Sequence, residues 1–522
     1  MAEEKKSYLY KLKPLTDRLP AVTKPEGHSH FKTKMMWLLL TLVFYFIMSN
    51  VLLFGLSDDY MDMFSEFRAI LAGSSGSLMH LGIGPIVTGS IIMQLFTGAK
   101  IIKLDLQNPE DKAVYQGTQK FVVLVMIFVE AVPQVYGYLT PHESLQDMVG
   151  GNTANLIIIM QLFVGSYLVF LMDEVVSKWG IGSGISLFIV AGVAQAIFQG
   201  TVNWLPRPDP GGGFSEISIS NPPTGTVPKT IFLIKEMTAS ELAGGGWEQI
   251  FMAQPNPILA LLGTVVIFII VAYAESSRIE LPLAHGRVRG ARGRYPIRLI
   301  YASNIPVILM AALLANINMF SLLFWSHPTL SKLPLVGHKW WLGAFEPGAT
   351  SPAYGGAWYV SRVNGVYDWL LPILNWDKYG AANNPSLGGH NIYQVVAHVI
   401  IYVTIMVLGS VLFAKFWIET TNMGPEAVAQ QIQNSGMQIP GFRRDPRVLK
   451  RVLERYIPMV TVISGAAVGL LAASADMVGT VGNTSGTGVL LAVGIMIRLY
   501  EEIGKEQMME MHPVLRGFFG NE

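Results

Sequence analysis

The 522-residue sequence contains no cysteine, which removes disulfides, thiol catalysis and cysteine-ligated metal from consideration together. Charge is also scarce. Asp, Glu, Lys and Arg make up 14% of the chain, against roughly a quarter in a soluble protein. Neither a Walker-type phosphate loop nor an HExxH pair occurs, so neither nucleotide hydrolysis nor zinc-protease chemistry is written in the chain. No cofactor and no metal site is expected. What is abundant is apolar: 51% of residues are hydrophobic, and the mean hydropathy is +0.41.

The apolar residues fall in runs near the roughly twenty that a helix needs to cross a bilayer. Ten crossings are predicted, at about 35–54, 81–98, 120–139, 154–172, 183–199, 257–274, 299–323, 393–416, 457–475 and 487–500. The expected fold class is an all-α polytopic membrane protein. Its first run lies behind a basic tail (1–34) and is too long for a signal-peptide core, so it reads as a retained span. With the N-terminus inside, 29 of the 37 Lys and Arg sit on inner segments and eight on outer ones. That bias places both termini in the cytoplasm of a chain expected in the cell membrane.

The chain then divides into an inner segment (1–34), a first half (35–199), an outer loop (200–256), a second half (257–500) and an inner tail (501–522). Basic inner loops at 275–298 and 418–456 and an outer loop at 324–392 interrupt the second half. Trp204, Trp247, Trp340 and Trp341 fall in outer loops, where such rings anchor at the headgroup level. Five crossings per half make spans 1–5 and 6–10 enter from opposite sides, the arithmetic of an inverted repeat. No residue-level repeat between the halves stands out.

Spans 2, 5 and 10 are the least hydrophobic, and each opens with glycines: LGIGPIV (81–87), GIGSGIS (180–186) and SGTGVLL (485–491). Gly82, Gly84 and Pro85 are expected to interrupt helix at the start of span 2. Unpaired backbone in hydrocarbon costs several kcal/mol per group, so such breaks survive only inside protein or beside water. Close helix packing through small residues is the competing explanation, and Gly180/Gly184 and Gly465/Gly469 have its spacing. Ile83/Val87 and Ile185/Ile189 are four apart, so each pair shares a helix face, and Leu491 follows the third glycine cluster. A ring of such side chains closes a pore by excluding water. Periodicity alone does not separate pore-facing from lipid-facing isoleucine, and lipid-facing is the commoner case.

Glu130, in the middle of span 3, is costly there and by default faces the bundle. Thr88, Gln94, Asn316 and Asn318 are its candidate partners, in either a gating or a static hydrogen-bonded cluster. His398 is the one other titrating group that the span assignments single out. On the inner side HGRVRGARGRYPIR (285–298) reads as a flexible arginine-rich loop, kept mobile by Gly286, Gly290 and Gly293. In the second basic loop PEAVAQQIQNSG reads as a helix begun at Pro425, and RDPRVLKRVLERY as a separate one with Asp445 as cap and Pro446 at its first position. Anionic lipid accounts for three or four such charges at about 1 kcal/mol each. Eleven arginines and a lysine across two projecting loops point instead to a phosphate-rich macromolecule.

LGIGPIVTGSIIMQL, GIGSGISLFIVAGV, ELPLAHGRVRGARGRYPIRLIYASNIPVILMAALLANI and the stretch from FWIETTNMGPE to MHPVL resemble the SecY family, pore subunits of the general protein-translocation channel, in its archaeal and eukaryotic branch. The resemblance implies two inverted five-helix halves around an hourglass pore. It makes Ile83, Val87, Ile185, Ile189, Ile308 and Leu491 the hydrophobic ring at the waist, and 58–77 the plug. Spans 2, 3, 7 and 8 become a lateral gate with Thr88, Glu130 and Asn316 as its polar cluster. Arg287, Arg289, Arg292, Arg294, Arg298, Arg443, Arg444, Lys450 and Arg451 become the ribosome-docking surface. Implied partners are gamma (SecE-like) and beta single-span subunits, the ribosome, the signal recognition pathway, the nascent polypeptide and membrane lipid. The outer loops around 200–256 and 326–391 depart from the family and receive no role from it. The rival class is a secondary transporter of small solutes on the same inverted plan, against which the isolation of Glu130 counts. An intramembrane enzyme lacks a convergent catalytic pair.

Overall fold

A computed structural model describes residues 8–27, 29–57, 68–98, 101–102, 104, 108–206, 216–285, 292–298, 304–326, 330–346, 351–381, 384, 387, 389–421, 423–434, 437–438, 446–482 and 484–511. Ten long helices organise them: α1 (Phe31–Asn50), α2 (Gly84–Gly98), α3 (Pro109–Gly137), α4 (Gly151–Trp179), α5 (Gly184–Val202), α6 (Ile258–Ser276), α7 (Ile305–Ser326), α8 (Ile392–Thr420), α9 (Pro446–Val478) and α10 (Gly486–Met511). Eight are long and apolar enough to cross a bilayer unaided; α2 and α10 fall outside that set. They correspond to two of the three spans that are weakest in sequence.

Local chemistry sets the helix ends. Pro109 supplies the pre-set φ of a first turn, and the Asn108 side chain accepts the Glu110 N–H at 3.0 Å. At α1 the sequence reading ran too far. The helix stops at Asn50, and the apolar residues after it are extended: Leu53 N–H donates to Gly76 O and Leu78 N–H to Val51 O, both at 2.9 Å. Hydrophobicity alone does not distinguish helix from an extended stretch that is paired inside the protein.

The start of the first long helix and the end of the last meet at one face. Lys34 Nζ lies 2.8 Å from Glu506 Oε2, and Phe31 N–H donates to Glu510 Oε2 at 3.0 Å. On that face the two basic loops are not separate. Strands β1 (Arg278–His285) and β2 (Arg292–Arg298) form an antiparallel hairpin, and β3 (Met437–Gln438) from the second loop pairs with β1 at Ala284 and His285. Of the stretch 285–298 expected to be a flexible loop, 286–291 lie outside the described residues, and His285 and Arg292–Arg298 are strand, whose ladder supplies partners for the backbone groups. The second expected helix of the other loop is not separate either. It is the first part of α9, a single helix of 33 residues that runs through Pro458.

On the opposite face the two long outer loops are joined. Lys378 Nζ lies 2.8 Å from Glu248 Oε2, and Tyr379 O–H donates to Glu248 Oε1 at 3.0 Å. The hydrogen bond from Lys378 holds the Glu248 carboxyl below the usual carboxylate range. Lys229 is buried and donates to Ala253 O at 2.6 Å and Pro255 O at 3.0 Å, docking one outer helix on the lead into α6.

Inside the bundle α7 is the most enclosed crossing, with 67% of its apolar window buried against 22% for α1. Glycines set the closest approach of α8 to α9. A Cβ on Gly469 would stand 2.7 Å from Met406 O, and one on Gly465 would stand 3.0 Å from Val411 Cα. Small-residue packing thus explains this glycine pair, and backbone proximity replaces the hydrophobic drive that lipid does not supply. Gly469→Val should force the two helices apart and destabilise the protein by about 1–3 kcal/mol, read as a lower midpoint of thermal unfolding in detergent.

Candidate functional site

The interrupted helix starts expected from the glycines are present, and their first helical residues, Gly84, Gly184 and Gly486, are buried. Gly82 (φ +55°) and Gly182 (φ +78°) hold left-handed turns two residues before α2 and α5 begin. A Cβ on Gly82 would lie 2.1 Å from Leu71 O, and one on Gly486 would lie 2.0 Å from Ala475 C. Protein backbone faces the breaks at Gly82 and Gly486, as an unpaired backbone group in hydrocarbon requires.

Five of the six ring candidates stand at or just past these breaks, and the sixth, Ile308, is in the first turn of α7. Ile83, Val87, Ile189, Ile308 and Leu491 are buried in one cluster, and Ile185 packs against it partly buried. They come from four helices that meet across the two halves, α5 on α10 and α2 on α7. The segment expected to be the plug ends on the same cluster. Its first ten residues (58–67) lie outside the described ones, but the short helix Arg68–Leu71 touches α5 and α10. Ala72 has no exposed surface and belongs to the cluster, and Ile83 N–H donates to Leu71 O at 2.8 Å. Beyond the cluster a half-open polar cavity of about 880 Å³ faces the outer loops. Ala196, Gly200 and Asn203 line it, seven, eleven and fourteen residues after Ile189. Those spacings keep one helical face, so the side of α5 that bears Ile189 continues into the cavity.

The polar cluster assembles from three helices. The Thr88 hydroxyl on α2 donates to Glu130 Oε1 on α3 at 2.8 Å and accepts from Asn316 Nδ2 on α7 at 3.0 Å. Glu130 is 5% exposed. Gly84 makes room for it, since a Cβ there would stand 3.0 Å from Glu130 Oε2. Gln94 and Asn318 do not join; Gln94 Oε1 and Asn318 Oδ1 are buried without a hydrogen bond. His398 is also apart, its Nε2 lying 2.9 Å from Ser361 O.

Of the docking candidates, Arg287, Arg289, Arg443 and Arg444 lie outside the described residues. Arg292, Arg294 and Arg298 are on β2, in register with Ala284, Pro282 and Arg278. Arg451 is exposed on α9, whereas Lys450 Nζ is 3.1 Å from Glu426 Oε2 and ties α9 to the helix Pro425–Asn434.

Sequence reasoning missed the root of the hairpin. Glu275, three residues before β1, is 4% exposed and accepts from Asn304 Nδ2 at 2.7 Å, just before α7. Arg498 Nη2 on α10 approaches the same Glu275 oxygen at 3.6 Å. Gly494 leaves the space, for a Cβ there would fall 1.8 Å from Asn304 Nδ2. A lone Glu at a span end looks like a solvated boundary charge; only Asn304 arriving from the far side of the loop reveals the pair. Glu174 was overlooked for the same reason. It accepts from Lys178 at 3.2 Å and from Val22 N–H at 2.8 Å, and also meets Lys120, fastening the N-terminal segment to α3 and α4.

Comparison with known proteins gives two family matches, SecY over residues 77–500 and the plug domain of Sec61p over residues 43–76. The protein translocase subunit SecY of Archaeoglobus fulgidus is 44% identical over 520 residues, covering 99% of each chain. Among solved structures, one described as a protein conducting channel is 36% identical at TM-score 0.75, and covers 96% of this chain and 98% of its own. Sec61 in the canine ribosome–channel complex from the endoplasmic reticulum aligns at TM-score 0.72, with the same identity and coverages.

Thr88→Val removes the donor to buried Glu130 and the acceptor of Asn316. It should lower stability by about 1–2 kcal/mol, measured by thermal unfolding in detergent. Glu130→Gln keeps an acceptor at Thr88 and should cost less than Thr88→Val; an equal or larger loss would mean that the charge itself is needed.

Proposed function

The chain belongs to the SecY family, and from that premise we infer a passive, gated conduit in which it is the channel-forming subunit of a protein translocase. It passes unfolded secretory polypeptides across the membrane and releases apolar segments sideways into lipid. One observation carries this reading most directly: aliphatic side chains from four interrupted or central helices seal a single buried cluster, with the plug-segment residue Ala72 in it.

Each part follows from its chemistry. Ile83, Val87, Ile185, Ile189, Ile308 and Leu491 form the waist. Apolar walls fit around an extended chain of any composition, offering no polar site to hold it and no water path for ions. The Thr88–Glu130–Asn316 cluster crosses from α2 and α3 to α7, so a signal helix inserting between α2 and α7 competes with these hydrogen bonds. Once that seam parts, a Leu-type residue gains about 0.3–0.6 kcal/mol by partitioning into lipid. The polar cavity beyond Ile189 is the outer funnel of the hourglass.

The arginine-rich hairpin and the start of α9 dock the ribosome from the cytoplasm, the side on which the charge bias puts both termini. Arg292, Arg294 and Arg298 have the same parity on β2, which suits contact with a phosphate backbone along one strand face. Glu275, Asn304 and Arg498 tie the hairpin's root to α6, α7 and α10, so force on the docking surface reaches the gate helix α7 through a short, buried link. Gamma (SecE-like) and beta single-span subunits flank the bundle in the cell membrane. A signal recognition pathway delivers substrate, and energy comes from translation or another partner. The solute-transporter alternative finds no support, since the relatives matching nearly the whole chain are translocase subunits.

With a photo-crosslinking residue at Ile189 and a secretory nascent chain stalled on ribosomes, adducts between the two are expected. Normal ribosome binding without adducts would remove the conduit. Reversing charge at Arg289 and Arg292 together should weaken ribosome docking and lower its salt slope by about two. Folding should be unaffected, and unchanged docking at physiological salt would refute the assignment.

A further inference from the structure

Two carboxylates occupy matching places in the halves. Asp173, near the end of α4, accepts the backbone N–H of Ile185, the second residue of α5, at 2.9 Å. Asp476, near the end of α9, accepts the N–H of Thr487, the second residue of α10, at 3.2 Å. The sequence separations are twelve and eleven. In each case the first helical residue is a glycine pressed on the backbone at the carboxylate. A Cβ on Gly184 would lie 2.5 Å from Asp173 Cα, and one on Gly486 would lie 2.4 Å from Asp476 N. Hydroxyls complete both sites: Ser183 Oγ approaches Asp173 Oδ1 at 3.5 Å, while Thr487 Oγ1 and Tyr402 O–H each donate to Asp476 Oδ2 at 2.7 Å. The residue-level repeat that the sequences of the halves do not display is thus present in space.

The correspondence extends to the waist. Ile189 follows the capped Ile185 by four residues, and Leu491 follows the capped Thr487 by four. One helical turn separates each cap from a ring side chain, so the pair is related as the caps are. Spans 4 and 9 run in opposite directions, so the carboxylates lie on opposite sides of the waist, and α5 packs directly on α10. A side-chain oxygen on the first free N–H groups fixes where a helix begins. Here it fixes the depth of a ring residue.

We propose that Asp173 and Asp476 are paired positioning residues for the constriction, each setting the start of the following helix so that Ile189 and Leu491 meet at one level. This rests on the waist reading above, and the experiment separates the two. The chain has no cysteine, so Ile189→Cys with Leu491→Cys gives a single thiol pair. In the purified complex, reconstituted in liposomes without substrate, a short bis-maleimide should join it. Failure to join in the otherwise unaltered chain would sink the waist reading itself.

Given joining there, Asp173→Ala and Asp476→Ala should each slow it by about fivefold, the equivalent of a lost helix cap, and raise resting ion leak in the background without the two cysteines. Asp173→Asn keeps an acceptor oxygen and should restore both readouts to near the parental level. An undiminished joining rate in folded alanine variants overturns the proposal, as does an asparagine variant as defective as alanine. Should the alanine variants fail to fold, Gly184→Ala displaces α5 from Asp173 without removing the carboxylate. It must slow joining likewise, and an unchanged rate there also refutes the proposal.

Discussion

A backbone N–H or C=O without a partner inside hydrocarbon costs more than most side-chain contacts return, and much of this protein is arranged around that cost. Three helices begin within the bundle instead of at its surface, at Gly84, Gly184 and Gly486. Their free ends are answered by protein: Leu71 O for the turn before α2, Asp173 for α5 and Asp476 for α10. Because each start needs a neighbour at backbone distance, glycine is required at the contacts. The aliphatic residues one turn later are then brought together. The sealed cluster of Ile83, Val87, Ile189, Ile308 and Leu491 follows from broken helices that have been made affordable.

The same logic separates fixed contacts from movable ones. Between α8 and α9 the glycines bring one backbone to within van der Waals distance of the other. Across α2, α3 and α7 the contact is a hydrogen-bonded triad around Thr88, whose members can be satisfied by other donors and acceptors. A seam held by such bonds opens at lower cost than one held by interlocked backbone. At the terminal face a buried ion-pair and amide cluster at Glu275 joins the hairpin to the helix on which that seam depends. The hairpin proposed to dock and the seam proposed to gate are therefore linked through one cluster, although Arg298 and Asn316 lie on different elements.

Sequence reasoning located the ten long helices because apolar runs near twenty residues have few alternatives in a chain of this composition. It also located the broken starts, since glycine pairs at the heads of weak spans carry a backbone signal. Its errors have physical causes. Val51–Phe54 is as hydrophobic as helix but spends its backbone on Gly76 and Leu78. Arg292–Arg298, the described part of the arginine stretch read as mobile from its glycines, pairs with the strand Arg278–His285, which also takes residues 437–438, a partner more than 130 positions away that no local pattern reveals. Gln94 and Asn318 were as plausible for the Glu130 cluster as Thr88 and Asn316, because one helical turn in either direction decides the outcome.

By itself the sequence determined the membrane class, the span count, the charge bias between the two faces and the places where helix breaks, since each depends on composition or on the nearest few residues. Tertiary structure alone decided which polar groups meet Glu130 and that the two basic loops share one sheet. It alone decided that Asp173 and Asp476 stand in matching positions. These are meetings between residues distant in the chain, and the free energy that selects them arises only when packing removes the alternatives of water and lipid.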